Sequence, residues 1–130
     1  MNLTVEHLGL PAGDPVALKN WYQRLLDARL VFHNQQAPPF LLALSGGMMI
    51  EIYGGEAPLP GAGNNKLNGW RHLALRVESI DAAKAELERR GLQFTETIKP
   101  AAGGGRVLFF QDPEGNLLHL VERPANTLFR

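Results

Sequence analysis

The feature of this 130-residue chain that most constrains its fold is an internal repeat. The hexapeptide VEHLGL at residues 5–10 resembles WRHLAL at residues 70–75, so that His72 follows His7 by 65 positions. A repeat indicates that one supersecondary unit occurs more than once, and this decides the architecture before any single element is assigned. We therefore expect two units of the same design.

A helix start follows each hexapeptide. Asp14 precedes Pro15, which predicts an N-cap followed by proline at the first helical position. Ser79 precedes a first turn that contains Asp81, whose charge complements the helix dipole. Apolar residues continue at helical spacing in both segments, and Gly91 suits the position just beyond the second helix. Both halves therefore begin with a strand and a helix.

Three further strands are predicted in each half. They cover residues 30–33, 40–44 and 48–53 in the first half, and residues 93–98, 106–111 and 117–122 in the second. The last two are joined by DPEG at residues 112–115, with Asp, Pro and Gly where a type I turn prefers them. Each half is thus βαβββ, an α+β design. The second half has about three extra residues, which we place at the three glycines of residues 103–105.

We expect the two halves to form a single domain over residues 1–130. Module 1 covers residues 1–54, a linker rich in Gly, Pro and Asn covers 55–69, module 2 covers 70–123, and a tail covers 124–130. A module of about 50 residues with one helix buries too little apolar surface to be stable alone. The two modules should therefore share one core.

Composition narrows the possible functions. Lys plus Arg and Asp plus Glu both number 13, so the formal net charge is zero, which excludes the broad basic surface typical of nucleic-acid or membrane binding. No apolar run approaches the roughly 20 residues that span a bilayer, and the first residues lack the pattern of a secretory signal. Without cysteine, there are no disulfides and no thiolate ligands. We expect a cytoplasmic protein whose chemistry relies on His, carboxylates, Arg and hydroxyls.

Four side chains are candidates for a metal site. Side chains alternate across a strand, so a sheet that packs a helix on one face leaves its other face for a site. His7 and His72 hold equivalent positions on that face of the first strand of each half, and Glu51 and His119 do so on the last strand. We expect the four to converge on one concave surface, where imidazole and carboxylate ligands suit Zn, Ni, Fe, Co or Mn.

The other polar residues have simpler interpretations. A single histidine is more often hydrogen-bonded in a core than a ligand, and His33, which has no counterpart in the second half, is assigned to an exposed strand end. Glu122 is three residues from His119, so the two side chains lie on opposite faces of the strand, and Glu122 is assigned to the surface. Four more residues are candidates for lining the concave surface, namely Met49, Tyr53, Arg76 and Arg106, while Glu6 and Arg71 are assigned to its rim.

Five segments, spread over nearly the whole chain, form a recognisable set. They are HLGL at 7–10, Trp21-Tyr22, IEI at 50–52, RHLAL at 71–75 and FQDPEGN at 110–116. Together they resemble the vicinal oxygen chelate superfamily, which includes glyoxalase I, extradiol dioxygenases, fosfomycin-resistance enzymes and bleomycin-binding proteins. The resemblance implies paired βαβββ modules that form an eight-stranded, cup-shaped sheet with helices outside, around one divalent metal. It also implies ligand roles for His7, Glu51 and His72.

The chain departs from this family at the fourth ligand position. Metalloenzymes of the superfamily usually have glutamate where this chain has His119, which can still bind a metal and is kept as the fourth ligand. With Glu51 as the only carboxylate, a site that holds a divalent ion keeps about one positive charge and favours an anionic substrate. The glutamate that moves a proton in glyoxalase-like members corresponds to His119, so catalytic roles are assigned to Glu51 and His119.

Three functions are consistent with these features. The first is a metal-dependent lyase or isomerase of the glyoxalase type, which acts on a small oxygenated, anionic substrate through bidentate metal chelation. The second is a non-haem iron dioxygenase, because two histidines and one carboxylate are the ligands that such iron uses. The third is a non-catalytic protein that binds a small molecule such as an antibiotic. The partner is a small molecule in each case, and the resemblance also implies a homodimer.

Overall fold

The computed structural model describes residues 1–125 and contains two βαβββ units. The first comprises β1 (His7–Ala12), α1 (Pro15–Leu26), β2 (Arg29–Asn34), β3 (Ala37–Ala43) and β4 (Met49–Gly54). The second comprises β5 (His72–Arg76), α2 (Ile80–Arg89), β6 (Lys99–Pro100), β7 (Arg106–Gln111) and β8 (Leu117–Glu122). The predicted α+β fold of two such modules is confirmed, and residues 126–130 of the predicted tail lie outside the described residues.

The chain divides into two compact units, Met1–Pro60 and Gly61–Arg130. The boundary falls inside the predicted linker, whose residues 55–69 form turns and bends without a helix or strand. Within residues 1–125, neither helix is long and apolar enough to cross a membrane.

Each unit contains a four-stranded sheet with the same strand arrangement. The order is β1-β4-β3-β2 in unit 1 and β5-β8-β7-β6 in unit 2. The first and last strands of each unit are parallel neighbours, and the remaining pairs are antiparallel. Eight strands are therefore present, as two hydrogen-bonded sheets of four.

Both predicted helix starts are confirmed. The Asp14 carboxylate accepts a bond from the Ala17 N–H at 3.0 Å, and the Ser79 hydroxyl accepts one from the Ala82 N–H at 3.2 Å. These bonds satisfy backbone donors that have no partner inside the helix. Gly91 follows α2 with φ +101°, as expected of a residue just beyond a helix end.

The helices cover one face of each sheet and leave the other face for function. In unit 1, α1 packs on β3 and β4, where Ile50 and Ile52 are fully buried. In unit 2, α2 packs on β7 and β8, where Leu108 and Leu118 are fully buried. Because side chains alternate along a strand, Glu51 and His119 lie on the opposite face, as the sequence predicted.

The predicted strand at residues 93–98 is wrong. The alternation of Phe94 with polar neighbours does place its ring against Phe110, at a centroid distance of 5.7 Å. Backbone pairing with β7 begins only at Lys99, however, and lasts for two residues. A side chain packed inward therefore gave a strand pattern where no ladder of hydrogen bonds forms.

One glycine of the predicted three-glycine insertion is required by a close backbone contact. Equivalent residues of the two units differ by 65 positions as far as the helices and by 68 positions from β7 onward, so the extra residues lie between α2 and β7. Gly105 has φ +93°, and a Cβ added there would lie 1.8 Å from the Glu122 carbonyl oxygen. Only glycine allows the chain to pass this close to β8.

Candidate functional site

Strands β5 and β8 bring two of the four candidate ligands together in unit 2. His72 pairs with Leu117, and His119 pairs with Ala74, so the two histidines are two residues out of register on the same face. Their ring centroids are 4.7 Å apart. Phe109, which pairs with His119 across β7 and β8, has its ring centroid 4.8 Å from His119 and 5.7 Å from His72. The histidine pair thus lies against one aromatic wall.

Strands β1 and β4 place the other two candidates at the same register in unit 1. His7 pairs with Met49, and Glu51 pairs with Gly9, which repeats the arrangement of His72 and His119. Glu51 is half-buried between the two fully buried isoleucines of β4. Tyr53 shares this face, and its hydroxyl would lie 3.3 Å from a Cβ added at Gly9. Glycine at this position therefore leaves room for the phenol ring beside Glu51.

Each of the three histidines predicted as ligands has an oxygen acceptor at its Nδ1 atom. The acceptor is Glu6 Oε1 at 2.8 Å for His7, Asn65 Oδ1 at 2.6 Å for His72, and the Leu120 carbonyl oxygen at 3.1 Å for His119. An amide, a carbonyl or an ionised carboxylate oxygen only accepts, so the ring nitrogen must carry the hydrogen. In its neutral form each ring then has its lone pair on Nε2, which is how metal-binding histidines are usually held.

His33 has the opposite arrangement. The Gln36 backbone N–H donates to His33 Nδ1 at 2.8 Å, so this nitrogen carries the lone pair and Nε2 carries the hydrogen in the neutral ring. His33 closes an exposed turn after β2 and is tied into its backbone. The sequence-based assignment of His33 to an exposed strand end agrees with this position.

Burial keeps His119 neutral near pH 7. The side chain is 6% exposed, and this burial lowers the pKa of His119 below its usual value of 6.5. The bond to the Leu120 carbonyl opposes the shift by raising the pKa, whereas His72 and Arg123 lower it further. A neutral imidazole with a lone pair on Nε2 can accept a proton or bind a cation.

Each unit supplies two of the four candidate ligands. Among residues 1–125, no three His, Cys, Asp or Glu side chains form a group able to hold a metal ion. The donor types of the two pairs nevertheless suit a divalent transition metal, since three imidazole Nε2 atoms and one carboxylate are its preferred ligands.

Unit 2 also contains a cleft of about 310 Å³, whose lining does not include His72 or His119. Phe109, which contacts both imidazole rings, forms part of its wall. The remaining lining is mainly polar and comprises Gly63, Gln93, Thr95, Glu96, Phe110, Gln111 and Leu117. The cleft therefore combines an aromatic surface with amide, hydroxyl and carboxylate groups that can bind a small polar molecule.

Two assignments made from the sequence, those of Arg106 and Glu122, are corrected by the structure. Arg106 donates to Glu122 and to Asp81, on the side of β7 that faces α2, and so does not line the opposite face. Glu122 also accepts the Ile80 N–H at 2.8 Å, which ties β8 to the start of α2. The sequence assigned Glu122 to the surface, whereas its side chain is only 24% exposed and bonds Ile80 and Arg106.

Sequence reasoning also missed the partners of the histidines. Glu6 was assigned to the rim, and Asn65 was assigned to the linker without a role, yet they accept the Nδ1 hydrogens of His7 and His72. Glu6 adjoins His7 in the sequence, which is a weak signal because adjacent strand residues point to opposite faces. Asn65 lies seven residues before His72, and no pattern in the sequence links the two.

Comparison with known proteins gives one family. The family model described as Glyoxalase/Bleomycin resistance protein/Dioxygenase superfamily matches residues 4–120. An uncharacterised protein of Escherichia coli strain K12, YaeR, is 39% identical over 83 residues. That alignment covers 63% of this chain and 64% of YaeR, so the chain spans less than two thirds of this relative.

Solved structures with the same fold cover nearly the whole chain. A member of the glyoxalase/bleomycin resistance protein/dioxygenase superfamily from Sphaerobacter thermophilus is 26% identical, with a TM-score of 0.69 over 94% of this chain and 98% of that one. A variant of the fosfomycin resistance protein FosX from Listeria monocytogenes is 18% identical, with a TM-score of 0.71 over 96% and 94% of the two chains. That structure contains Mn(II) and 1S,2S-dihydroxypropylphosphonic acid.

Proposed function

Because this chain belongs to the glyoxalase/bleomycin resistance protein/dioxygenase superfamily, we propose that it is a metal-dependent enzyme that acts on a small oxygenated molecule. The proposed ligands of one divalent ion (Zn, Ni, Fe, Co or Mn) are His7, Glu51, His72 and His119. The substrate would chelate the ion through two neighbouring oxygens, in a lyase or isomerase reaction of the glyoxalase type.

The observation that carries this proposal is the shared state of three histidines. His7, His72 and His119 each donate Nδ1–H to an oxygen and keep the Nε2 lone pair for another group. His33 has the reverse arrangement and is not one of the proposed ligands. The tautomer thus separates the three proposed ligands from the fourth histidine.

The metal and the protein would divide the chemistry between them. When bound, a divalent ion would polarise the substrate oxygens and make an adjacent C–H bond more acidic. Glu51 carries a carboxylate, and His119 carries a neutral imidazole whose Nε2 can accept a proton only while it is not bound to the metal. Either would serve as the general base if it is within hydrogen-bond reach of the substrate carbon that loses the proton.

The charge of the proposed site bears on the substrate. Glu51 is the only carboxylate among the four ligands, which leaves about one positive charge with a divalent ion and favours an anionic substrate. Glu6 adds a second carboxylate beside His7, but its side chain is 73% exposed, so solvent and salt screen it. An anion therefore remains the preferred substrate.

The cleft in unit 2 suits a small polar molecule, although the Glu96 carboxylate in its lining disfavours an anion. Phe109 provides an apolar wall, and the surrounding amides and the Thr95 hydroxyl provide hydrogen-bond partners. A small oxygenated molecule in this cleft would contact Phe109, whose ring also contacts two of the proposed ligands.

The test begins with metal binding. We expect protein stripped of metal to bind one equivalent of an ion from the panel Mn²⁺, Fe²⁺, Co²⁺, Ni²⁺ and Zn²⁺, as measured by titration calorimetry and elemental analysis. His72→Ala should weaken the affinity at least 10- to 100-fold, because it removes a ligand outright. His33→Ala is the matched control and should bind like the wild type.

The outcome also separates the three functions. A stoichiometry near zero in the wild type would exclude the enzyme proposed here and favour a non-catalytic small-molecule binding protein. Oxygen consumption that depends on Fe²⁺ would instead favour a dioxygenase. A glyoxalase-type enzyme requires activity that is lost on chelation without any uptake of oxygen.

Two further proposals concern the protein in the cell. We expect two chains to pair as a homodimer, and the exposed side chains of Leu3, Val5 and Trp70 offer apolar surface for a contact. Sedimentation that shows a monomer at every concentration would contradict pairing. A cytoplasmic location also stays a prediction, which fractionation of cells would check.

A further inference from the structure

Asn65 lies in a run of turns at the start of unit 2 and bonds a proposed metal ligand. Its Oδ1 atom lies 2.6 Å from His72 Nδ1. Because an amide oxygen only accepts, the hydrogen is on Nδ1, and the neutral ring has its lone pair on Nε2. Which ring nitrogen is available to a metal is set by the bond that the other one makes.

Hydrogen bonds of the neighbouring residue Asn64 define the turns around Asn65. The Asn64 N–H donates to the Gly61 carbonyl at 2.8 Å, and the Leu67 N–H donates to the Asn64 carbonyl at 3.3 Å. The Asn64 side chain accepts the Lys66 N–H at 3.0 Å. From this run of turns the Asn65 side chain reaches His72.

The same turns rest against the sheet that carries the histidine pair. A Cβ added at Gly63 would lie 2.3 Å from the side-chain nitrogen of Gln111, the last residue of β7. The turn that precedes Asn65 therefore packs against the end of β7, in the sheet that carries the histidine pair.

We propose that Asn65 is a positioning residue for His72, which holds the ring as the Nδ1–H tautomer and presents Nε2 to the metal. This inference rests on the proposed function for its biological purpose, but the tautomer can be measured without any metal. The simpler alternative is that Asn65 only helps to close a turn.

Asn65 is the best of the three acceptors for a test. Removing Glu6 from His7 would also change the charge near the site, and the Leu120 carbonyl that holds His119 belongs to the backbone. Asn65→Ala removes an uncharged acceptor, so any change in metal affinity cannot result from lost charge.

The experiment compares Asn65→Ala with Asn65→Asp, which restores an oxygen acceptor, and with Asn68→Ala, a matched control in the same segment. The ¹⁵N chemical shifts of the His72 ring in metal-free protein report its tautomer, with His72→Ala used to assign the signals. A competition titration with Zn²⁺ gives the affinity, and thermal unfolding confirms that every variant is folded.

We expect the wild type, Asn65→Asp and Asn68→Ala to have His72 as the Nδ1–H tautomer. In Asn65→Ala the ring should shift toward the other tautomer, and the Zn²⁺ affinity should fall about 10- to 100-fold. An unchanged tautomer in Asn65→Ala would overturn the inference. If the wild type fails to bind metal while the tautomer depends on Asn65, the proposed function is wrong and the positioning role is correct.

Discussion

At the scale of single residues, the hydrogen-bond acceptor of each imidazole determines what the other ring nitrogen can do. A carboxylate, an amide and a backbone carbonyl perform the same task at His7, His72 and His119. The three acceptors differ in residue type. What they share is an oxygen atom that accepts the Nδ1 hydrogen of the ring.

The departure from the family at His119 can be tested by His119→Glu. Burial removes a carboxylate at this position from water, and the charge of Arg123 opposes part of this cost, so we expect the metal-free protein to lose about 1–3 kcal/mol of unfolding free energy at pH 7. Added Zn²⁺ should then raise the melting temperature more than it does for the wild type, since an anionic ligand attracts a cation more strongly.

Unfolding in urea and thermal unfolding with and without Zn²⁺ measure both effects. His33→Glu is the control, because it places the same charge at an exposed turn and should change neither quantity by a comparable amount. A His119→Glu protein that is as stable as the wild type without metal, and that gains nothing from Zn²⁺, would remove His119 from the proposed site.

At the scale of elements, one ion-pair cluster joins three parts of unit 2. Glu122 at the end of β8 accepts the first N–H of α2 and receives bonds from Arg106 at the start of β7, which also bonds Asp81 of α2. Glu122 is 24% exposed, so solvent screens the cluster only in part. These contacts hold α2 against the sheet whose opposite face carries the histidine pair.

The Glu122 carboxyl predicts a dependence of stability on pH. The bond from the Ile80 N–H, assisted by Arg106, holds the pKa of Glu122 below its usual value of 4.5. A carboxyl with a lowered pKa in the folded state stabilises the fold at neutral pH, and this contribution disappears as the pH falls through the folded pKa. We therefore expect Glu122→Gln to be less stable than the wild type at pH 7 and to approach it near pH 3.

Urea unfolding at both pH values gives the comparison. Glu56→Gln removes a carboxylate from an exposed position in residues 55–69 and serves as the matched control, for which we expect the wild-type profile. A Glu122→Gln protein whose deficit in unfolding free energy is the same at pH 7 and pH 3 would show that the Glu122 charge does not contribute.

At the scale of the whole molecule, the repeat divides the proposed ligands equally. Unit 1 supplies His7 and Glu51, and unit 2 supplies His72 and His119, from the same two strand positions. A single ion that takes ligands from both units would make the stability of each depend on the other, because ligand binding favours whatever state forms the complete site.

This coupling can be measured by amide hydrogen exchange. We expect Zn²⁺ at about a hundredfold excess over its Kd to slow exchange in β4 of unit 1 and in β8 of unit 2, by up to about 2.7 kcal/mol in opening free energy. His7→Ala should reduce the protection of both strands, although it alters only unit 1. Protection confined to β8, and unaffected by His7→Ala, would mean that the histidine pair of unit 2 binds the ion by itself.

The sequence by itself determined the features that depend on local pattern. The repeat, both helix starts and the parity of the strands fixed two βαβββ units, and the same parity put His7, Glu51, His72 and His119 on the faces opposite the helices. Spacing along a strand or helix decides such features because backbone geometry is periodic. The position of the short β6 was not predicted correctly. Phe94 packs inward as a strand residue would, although its backbone has no strand partner.

Only the tertiary structure decided which group fills the space beside each functional side chain. Asn65 reaches His72 because several turns fold it back onto unit 2, and Glu122 reaches Ile80 across 42 positions of the chain. These partners come together through the packing of distant segments, and no periodic pattern encodes that packing. The sequence therefore predicts which histidines are candidate ligands, whereas the fold decides which ring nitrogen each one offers.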